Sequence, residues 1–340
     1  MALQTGTLGK FWFGPQTARG TAATTFYAFR GNALDLAPGQ QFRNIGPMVG
    51  GSFLPADSIK TAAFSGGGVT MPPILDDYLG WLLYAFTGSV TSNDMGDNSY
   101  EHYFPSGADS TAPTTYLTGR RQIPGGTVHY EQMEDLVISR MLFNLAGGEY
   151  VSARFDMMGR TITAPDGAAW VHTPKGYDSV PISCRGGVEL PDGSSLETAS
   201  AATIEVVNVI PPINRVLTVG SYYPYDYPIL TRNITFSFDH LYETDTLYEL
   251  LYWNGTAWQP TIYSTTFDVY VQSASDITGA SDPYELKFWS ANMEWTCEPL
   301  RLVGGDLILL RITGTMAAAT SGFDWYVRLK NNTEEYVWPT

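Results

Sequence analysis

Cysteine is almost absent from this chain of 340 residues; only Cys184 and Cys297 occur. One possible bridge cannot staple a chain of that length, so a disulfide scaffold is excluded and both thiols read as reduced and buried. Charge is scarce as well. Lys, Arg, Asp and Glu make up 16% of the residues, against about 25% in an ordinary soluble domain. So little charge leaves a lone monomer poorly covered, which favours a surface largely hidden by partners. Cations are scarcest of all, with 19 Lys and Arg against 34 Asp and Glu and a formal net charge of −15. Proteins that grip nucleic acid place Lys and Arg on phosphates, so gripping is excluded, whereas a surface that nucleic acid slides past is not. Long apolar runs are missing too. No stretch reaches the ~20 apolar residues of a membrane-spanning helix. Met1-Ala2-Leu3-Gln4-Thr5-Gly6 has neither the basic start nor the apolar core of a secretory leader. The expectation is a chain made in a cytoplasm, soluble there, with no membrane partner.

Catalytic constellations are missing in the same way. His102, His129, His172 and His240 lie far apart, in no metal-ligating spacing. Ser65-Gly66-Gly67-Gly68 lacks the Gly-Lys-Ser/Thr of a phosphate loop and opens no helix, so it reads as a flexible turn. No Gly-x-Ser-x-Gly elbow occurs. Asp76-Asp77 is the conspicuous carboxylate pair, and a glycosidase needs two, but it stands where acidic residues favour a helix N-terminus. The aromatic and acidic run Trp289 to Glu298 reads as a sugar platform or, equally, as strand-face packing or a subunit contact. The expectation is no catalysis, no cofactor and no metal.

What the chain does have is aromatic residues, at 14% with 21 Tyr and 9 Trp, and period-two alternation. Aromatics bury large area while keeping one polar atom satisfied, which suits interfaces. Ile234, Phe236 and Phe238 alternate with Asn233, Thr235, Ser237 and Asp239, and Val151, Ala153, Phe155 and Met157 with Tyr150, Ser152, Arg154 and Asp156. Such alternation marks strands with one buried face. Two segments follow a 3.6-residue period instead. Leu75, Leu79, Leu82, Leu83 and Phe86 lie between Pro72-Pro73 and Gly88; Leu247, Leu250 and Leu251 follow a Thr246/Glu249 capping box and precede Asn254-Gly255. Each predicts a short helix with an apolar stripe suited to packing on a sheet.

The two halves match. Arg30–Leu36 resembles Arg185–Leu190, Leu79–Tyr84 resembles Leu247–Tyr252, and Gly147-Gly148 to Arg154 resembles Gly304-Gly305 to Arg311, at offsets of 155, 168 and 157 residues. Three matches in one order predict an internal duplication. The predicted domains are 1–165, with a long loop or arm at 89–132, and 178–340, joined by a Pro/Gly-rich linker at 166–177. A loop of that length in a compact domain reads as an arm laid on a neighbour or as a surface excursion holding a strand.

Several of these segments together resemble the major tail tube protein of long-tailed (siphovirus-type) bacteriophages. They are Gly20-Thr21-Ala22-Ala23-Thr24 after Phe11-Trp12-Phe13, the first helix with Gly88-Ser89-Val90, Tyr100–Phe104, Asp135–Gly159, Leu217–Pro224 and Ile234–Phe238. The likeness spans roughly residues 8 to 315; the segment Ser89–Gln132 and the tail from Met316 depart from it. It implies two tandem β-sandwich or barrel domains, each with a flanking helix, that self-assemble into stacked rings around a lumen. Through this lumen DNA passes during ejection without specific binding. Single-domain relatives place six subunits in a ring, so two domains per chain imply a trimeric, pseudo-sixfold ring rather than a hexamer. Tape-measure and tail-end proteins are the implied further partners, and the virion, after assembly in the host cytoplasm, the implied location. The competing readings are a receptor- or carbohydrate-binding β protein, and another tail part such as a terminator or baseplate protein.

Overall fold

The computed structural model describes residues 9–31, 33–44, 58–105, 115–124, 129–162, 176–188, 199–219, 221, 223–242, 246–253, 256–258, 263–300, 308–317 and 324–339. In chain order the elements are β1 (Lys10–Pro15), β2 (Tyr27–Phe29), β3 (Ala33–Leu34), β4 (Ala37–Asn44), β5 (Ser58–Met71), α1 (Leu79–Thr87), β6 (Thr91–Gly96), β7 (Ser99–Pro105), β8 (Leu117–Ile123), β9 (His129–Ala146) and β10 (Ser152–Ile162). Then come β11 (Pro181–Val188), β12 (Ala199–Val209), α2 (Ile213–Val216), β13 (Thr231–Leu241), α3 (Thr246–Leu251), β14 (Tyr263–Asp276), β15 (Pro283–Cys297), β16 (Leu309–Met316) and β17 (Trp325–Asn331).

The chain is mainly β, as expected. Every pairing among the described strands is antiparallel, and they join all of them into one sheet that does not close on itself. Of the two forms expected, sandwich or barrel, a closed barrel is therefore not formed within one chain. Two runs of four strands share one order. Hairpin β4–β5 is followed by α1, and β10 of hairpin β9–β10 returns beside β5. Hairpin β12–β13 is followed by α3, and β16, after β15, returns beside β13. The last half of β9 pairs with β12 (Met141↔Val206, Phe143↔Ile204), so β4-β5-β10-β9-β12-β13-β16-β15 is an unbroken eight-strand stretch.

The alternation explains why these strands form and which way they face. Met141, Phe143, Phe155, Ile204, Val206, Phe236, Phe238, Ile312 and Trp295 all point to one side and are buried in a single core. Helix α1 lies on that core because Leu79, Leu82, Leu83 and Phe86 fall on one stripe and are all buried, each contributing about 1.5–3 kcal/mol. Gly88 stops it with φ 83°, donating its N–H to the Tyr84 carbonyl at 2.8 Å, a left-handed cap that glycine adopts without strain. Leu75 is buried in the turn before α1. Asp76 and Asp77 precede the helix rather than occupying its first turn.

Two expectations are corrected. The segment Ser89–Gln132 is not a long loop; it contains β6, β7, β8 and the start of β9. Its polar composition suits β6, an edge strand exposed along most of its length, which Asp97 (φ 52°) and Asn98 (φ 60°) fold back onto β7. Gly66–Gly68 lie inside β5, not in a turn. A Cβ on Gly67 would strike the Asp35 carbonyl, and one on Gly68 would strike the Asp156 and Arg154 side chains, so close approach explains the glycines. Beyond Met316, where the family likeness ends, Trp325–Asn331 form β17, which lies between β15 and β7. The linker residues 166–175 lie outside the described residues, and Tyr177–Ser179 form a 3-10 turn.

After β17 the chain crosses α1 as a strap. Trp338 packs on Trp81 and Tyr84 and donates its Nε1–H to the Gln16 carbonyl at 2.8 Å. Tyr336 is buried over Gly80, where a Cβ would collide with its ring. At the root of the strap, fully buried Asn331 donates to the Leu75 carbonyl (2.7 Å) and to the Tyr336 hydroxyl (2.8 Å). Its Oδ1 must then accept, so His102 Nε2 carries the proton toward it (3.1 Å) and His102 Nδ1 accepts from the Ser92 hydroxyl (2.8 Å).

Burial holds the His102 pKa below its ordinary 6.5, against the opposing pull of Asn331. An unfolded chain takes up that proton near pH 6.5 while the folded chain does not, so the contribution is intact above pH 6.5 and declines as pH falls below it. The thermal midpoint is expected to drop between pH 7 and pH 5, and to drop less steeply in His102→Gln. Equal slopes in the two proteins would contradict this assignment.

Candidate assembly surface

The face of the eight-strand stretch turned away from the core is built by the alternate residues of the same strands. One cross-strand row runs Ser152, Asn144, Thr203, Ser237, Thr313, Thr296, uncharged and polar across six strands. The next row runs Arg154, Leu142, Glu205, Thr235, Thr315, Glu294. Thr and Ser suit this position because small β-formers on a half-exposed face keep the strand regular without burying charge.

Three arginines on this face are each tied to carboxylates. Arg140 of β9 donates through Nε to Glu205 Oε1 of β12 (2.6 Å) and through Nη1 to Asp156 Oδ2 of β10 (3.3 Å). Arg154 of β10 donates to Asp156 Oδ1 (2.8 Å) and to Asp35 Oδ2 (3.0 Å). Arg311 of β16 grips Asp239 of β13 with a two-pronged fork at 2.8 and 3.1 Å. Burial would raise the Asp35 carboxyl, but the Gly68 N–H and Arg154 hold it below its usual range. The hydrogen bonds to Asp35 and Asp239 push Arg154 and Arg311 further up, so both stay charged. These pairs are partly solvated, so each adds little to stability; their effect is to fix where the charges sit.

The edges of the stretch differ from its middle. β4 pairs with β5 and, among the described residues, with nothing on its other side. It carries Phe42, 57% exposed. At the far end β14 covers β15, and β11 pairs with β14 only from Val269 to Ser273, leaving the leading residues of β14 open among the described residues. Unpaired N–H and C=O groups at such edges are templates for another strand.

The residues singled out in the sequence fall as follows. Leu75, Leu79, Leu82, Leu83 and Phe86 gather under α1, and Leu247 and Leu251 are buried under α3, with Leu250 half-buried against the same core. Gly147 and Gly148 form the turn between β9 and β10, Gly148 at φ 78°. Gly304 and Gly305 lie outside the described residues. Trp289 stacks face to face on Tyr326 of β17 at 5.0 Å, so it is engaged in strand-face packing. Sequence reading missed the arginine pairs, although Arg154 and Arg311 close the third matched segment and were visible as equivalent positions.

Among the described residues, no cluster of three or more His, Cys, Asp or Glu could hold a metal ion, and no helix is long and apolar enough to cross a membrane. A family model described as phage tail tube protein matches residues 6–297 of the chain. Among curated proteins none matches it.

Proposed function

The chain belongs to the phage tail tube protein family, and from that premise we propose that copies of it close into rings whose stacked sheets form the hollow tail tube through which DNA passes at ejection. The protein acts as a structural part of the virion, without catalysis or cofactor. It assembles in the host cytoplasm, with tape-measure and tail-end proteins as neighbours. Residues 1–165 and 178–340 act as two tandem tube-type units joined by 166–177. The observation that carries this reading is the repeated strand order, β4-β5-β10-β9 and β12-β13-β16-β15, joined edge to edge at β9–β12.

The β9–β12 junction is an internal pattern for the junction between chains. The free edge of β4 meets the open leading residues of β14 of the neighbouring chain, edge to edge as β12 meets β9. Two units per chain then make three chains equivalent to six single-unit subunits, and a closed ring leaves no template edge. The outward face with its hydroxyl row lines the lumen, and the net charge of −15 keeps phosphates from sticking.

Negative-stain electron microscopy of the purified protein, fresh and after concentration, tests this. Long hollow tubes with three chains per ring in end views are expected. Six chains per ring would overturn the pseudo-sixfold arrangement, and discrete particles that never stack would favour a capping component such as a terminator.

A further inference from the structure

Arginine is the side chain best suited to hold a phosphate, yet three of them stand on the face assigned to the lumen. Resting on that lumen reading, we infer that Asp35, Asp156, Glu205 and Asp239 serve to occupy Arg140, Arg154 and Arg311, withholding these guanidiniums from the phosphates of passing duplex DNA.

The geometry supports a withholding role over a chance scatter of ion pairs. Every one of the three guanidiniums is engaged at 3.3 Å or less, and Arg140 and Arg154 share the two oxygens of Asp156. Gly68 leaves space for the Arg154–Asp156 pair to lie flat across β5, since a Cβ there would strike both side chains. The arrangement recurs at the matched positions Arg154 and Arg311, each answered by a carboxylate from another part of the sheet. Four carboxylates against three guanidiniums leave the cluster negative. The arginines are still useful to the sheet, because Arg140 ties β10 to β12 across β9, the strand where the two halves join. A duplex carries one phosphate charge per ~1.7 Å of axis, so an unoccupied arginine would meet phosphates continuously. A carboxylate fixed beside it competes at the high effective concentration of a tethered group, and the passing phosphate gains nothing by displacing it.

The test is fluorescence anisotropy with a short random-sequence DNA duplex, titrated with the soluble protein across a range of NaCl concentrations. Asp156→Asn with Glu205→Gln removes both partners of Arg140 and one of Arg154. Glu334→Gln with Glu335→Gln, on the exposed strap, makes the same change in net charge away from the face. Asp239→Asn frees Arg311 alone and serves as a milder variant where the double one folds poorly. At low salt the face variant is expected to bind at least ~10-fold tighter than wild type and strap control, with a slope of log K against log salt steeper by about 1–2. Asp239→Asn is expected to move both quantities the same way by less. No gain, or an equal gain in the strap control, would overturn the inference while leaving the lumen reading untouched. A tube reconstruction placing Arg140 on the outer wall would overturn the lumen reading, and the inference with it, whatever the binding data.

Discussion

Replacing Gln40 by proline is expected to abolish tube formation while leaving the monomer folded. Strand β4 already carries Pro38, and proline is tolerated in a sheet where its missing N–H would face away from the neighbouring strand. Two residues on, Gln40 points its N–H the same way, toward the edge that meets the next chain. Proline there removes a donor from the junction and sets its ring against the incoming strand, while the β4–β5 pairing is spared. The repeated junction multiplies a small local cost, so the concentration needed for assembly should rise more than ~10-fold, a change of about 1.4 kcal/mol per contact. Sedimentation of tubes against concentration measures this, with the thermal midpoint of the soluble protein as the control for folding. Tubes forming at the wild-type concentration would remove β4 from the ring contact.

Asn331→Ala is expected to be the most destabilising single change outside the apolar core. Asn331 is fully buried and its amide serves the Leu75 carbonyl, the Tyr336 hydroxyl, His102 and the Thr333 N–H. Alanine leaves these groups in place without their partner, and each stranded buried group costs about 1–3 kcal/mol. Some are re-solvated as the strap loosens, so a loss of about 4 kcal/mol and a midpoint lower by roughly 6 °C are expected. The neighbouring Asn332 is partly exposed and holds the Asn98 carbonyl at 2.9 Å; Asn332→Ala should cost under ~1 kcal/mol. Near-equal melting curves for the two variants would show that the strap is not anchored at Asn331.

What could be read from the sequence was local. Alternation along β10 and β13 placed Phe155, Phe236 and Phe238 in the core, because a strand with one wet face must alternate. The stripe from Leu79 to Phe86 and the Gly88 cap placed α1 for the same reason. Long-range pairing was not legible. β17 alternates Trp325, Val327 and Leu329 against Tyr326, Arg328 and Lys330, but nothing local says that its partners are β15 and β7, the latter more than 200 positions away. The glycines of β5 misled for a related reason. Their low strand propensity signals a turn, and what overrides it is the approach of Asp35, Arg154 and Asp156 from other parts of the chain. The arginine pairs were half visible, as Arg154-x-Asp156 within one strand, while Arg140 and Glu205 meet only because β9 accepts β12.

A strand-resolved electron cryo-microscopy reconstruction of the assembled tube tests the central claim most directly. The expected structure is a continuous inner wall in which the eight-strand stretches of three chains are joined through β14, with β4 of one chain beside the open leading residues of β14 of the next and Arg140, Arg154 and Arg311 facing the lumen. A wall in which the β4 edge stays unpaired, or in which those arginines face outward, would contradict it.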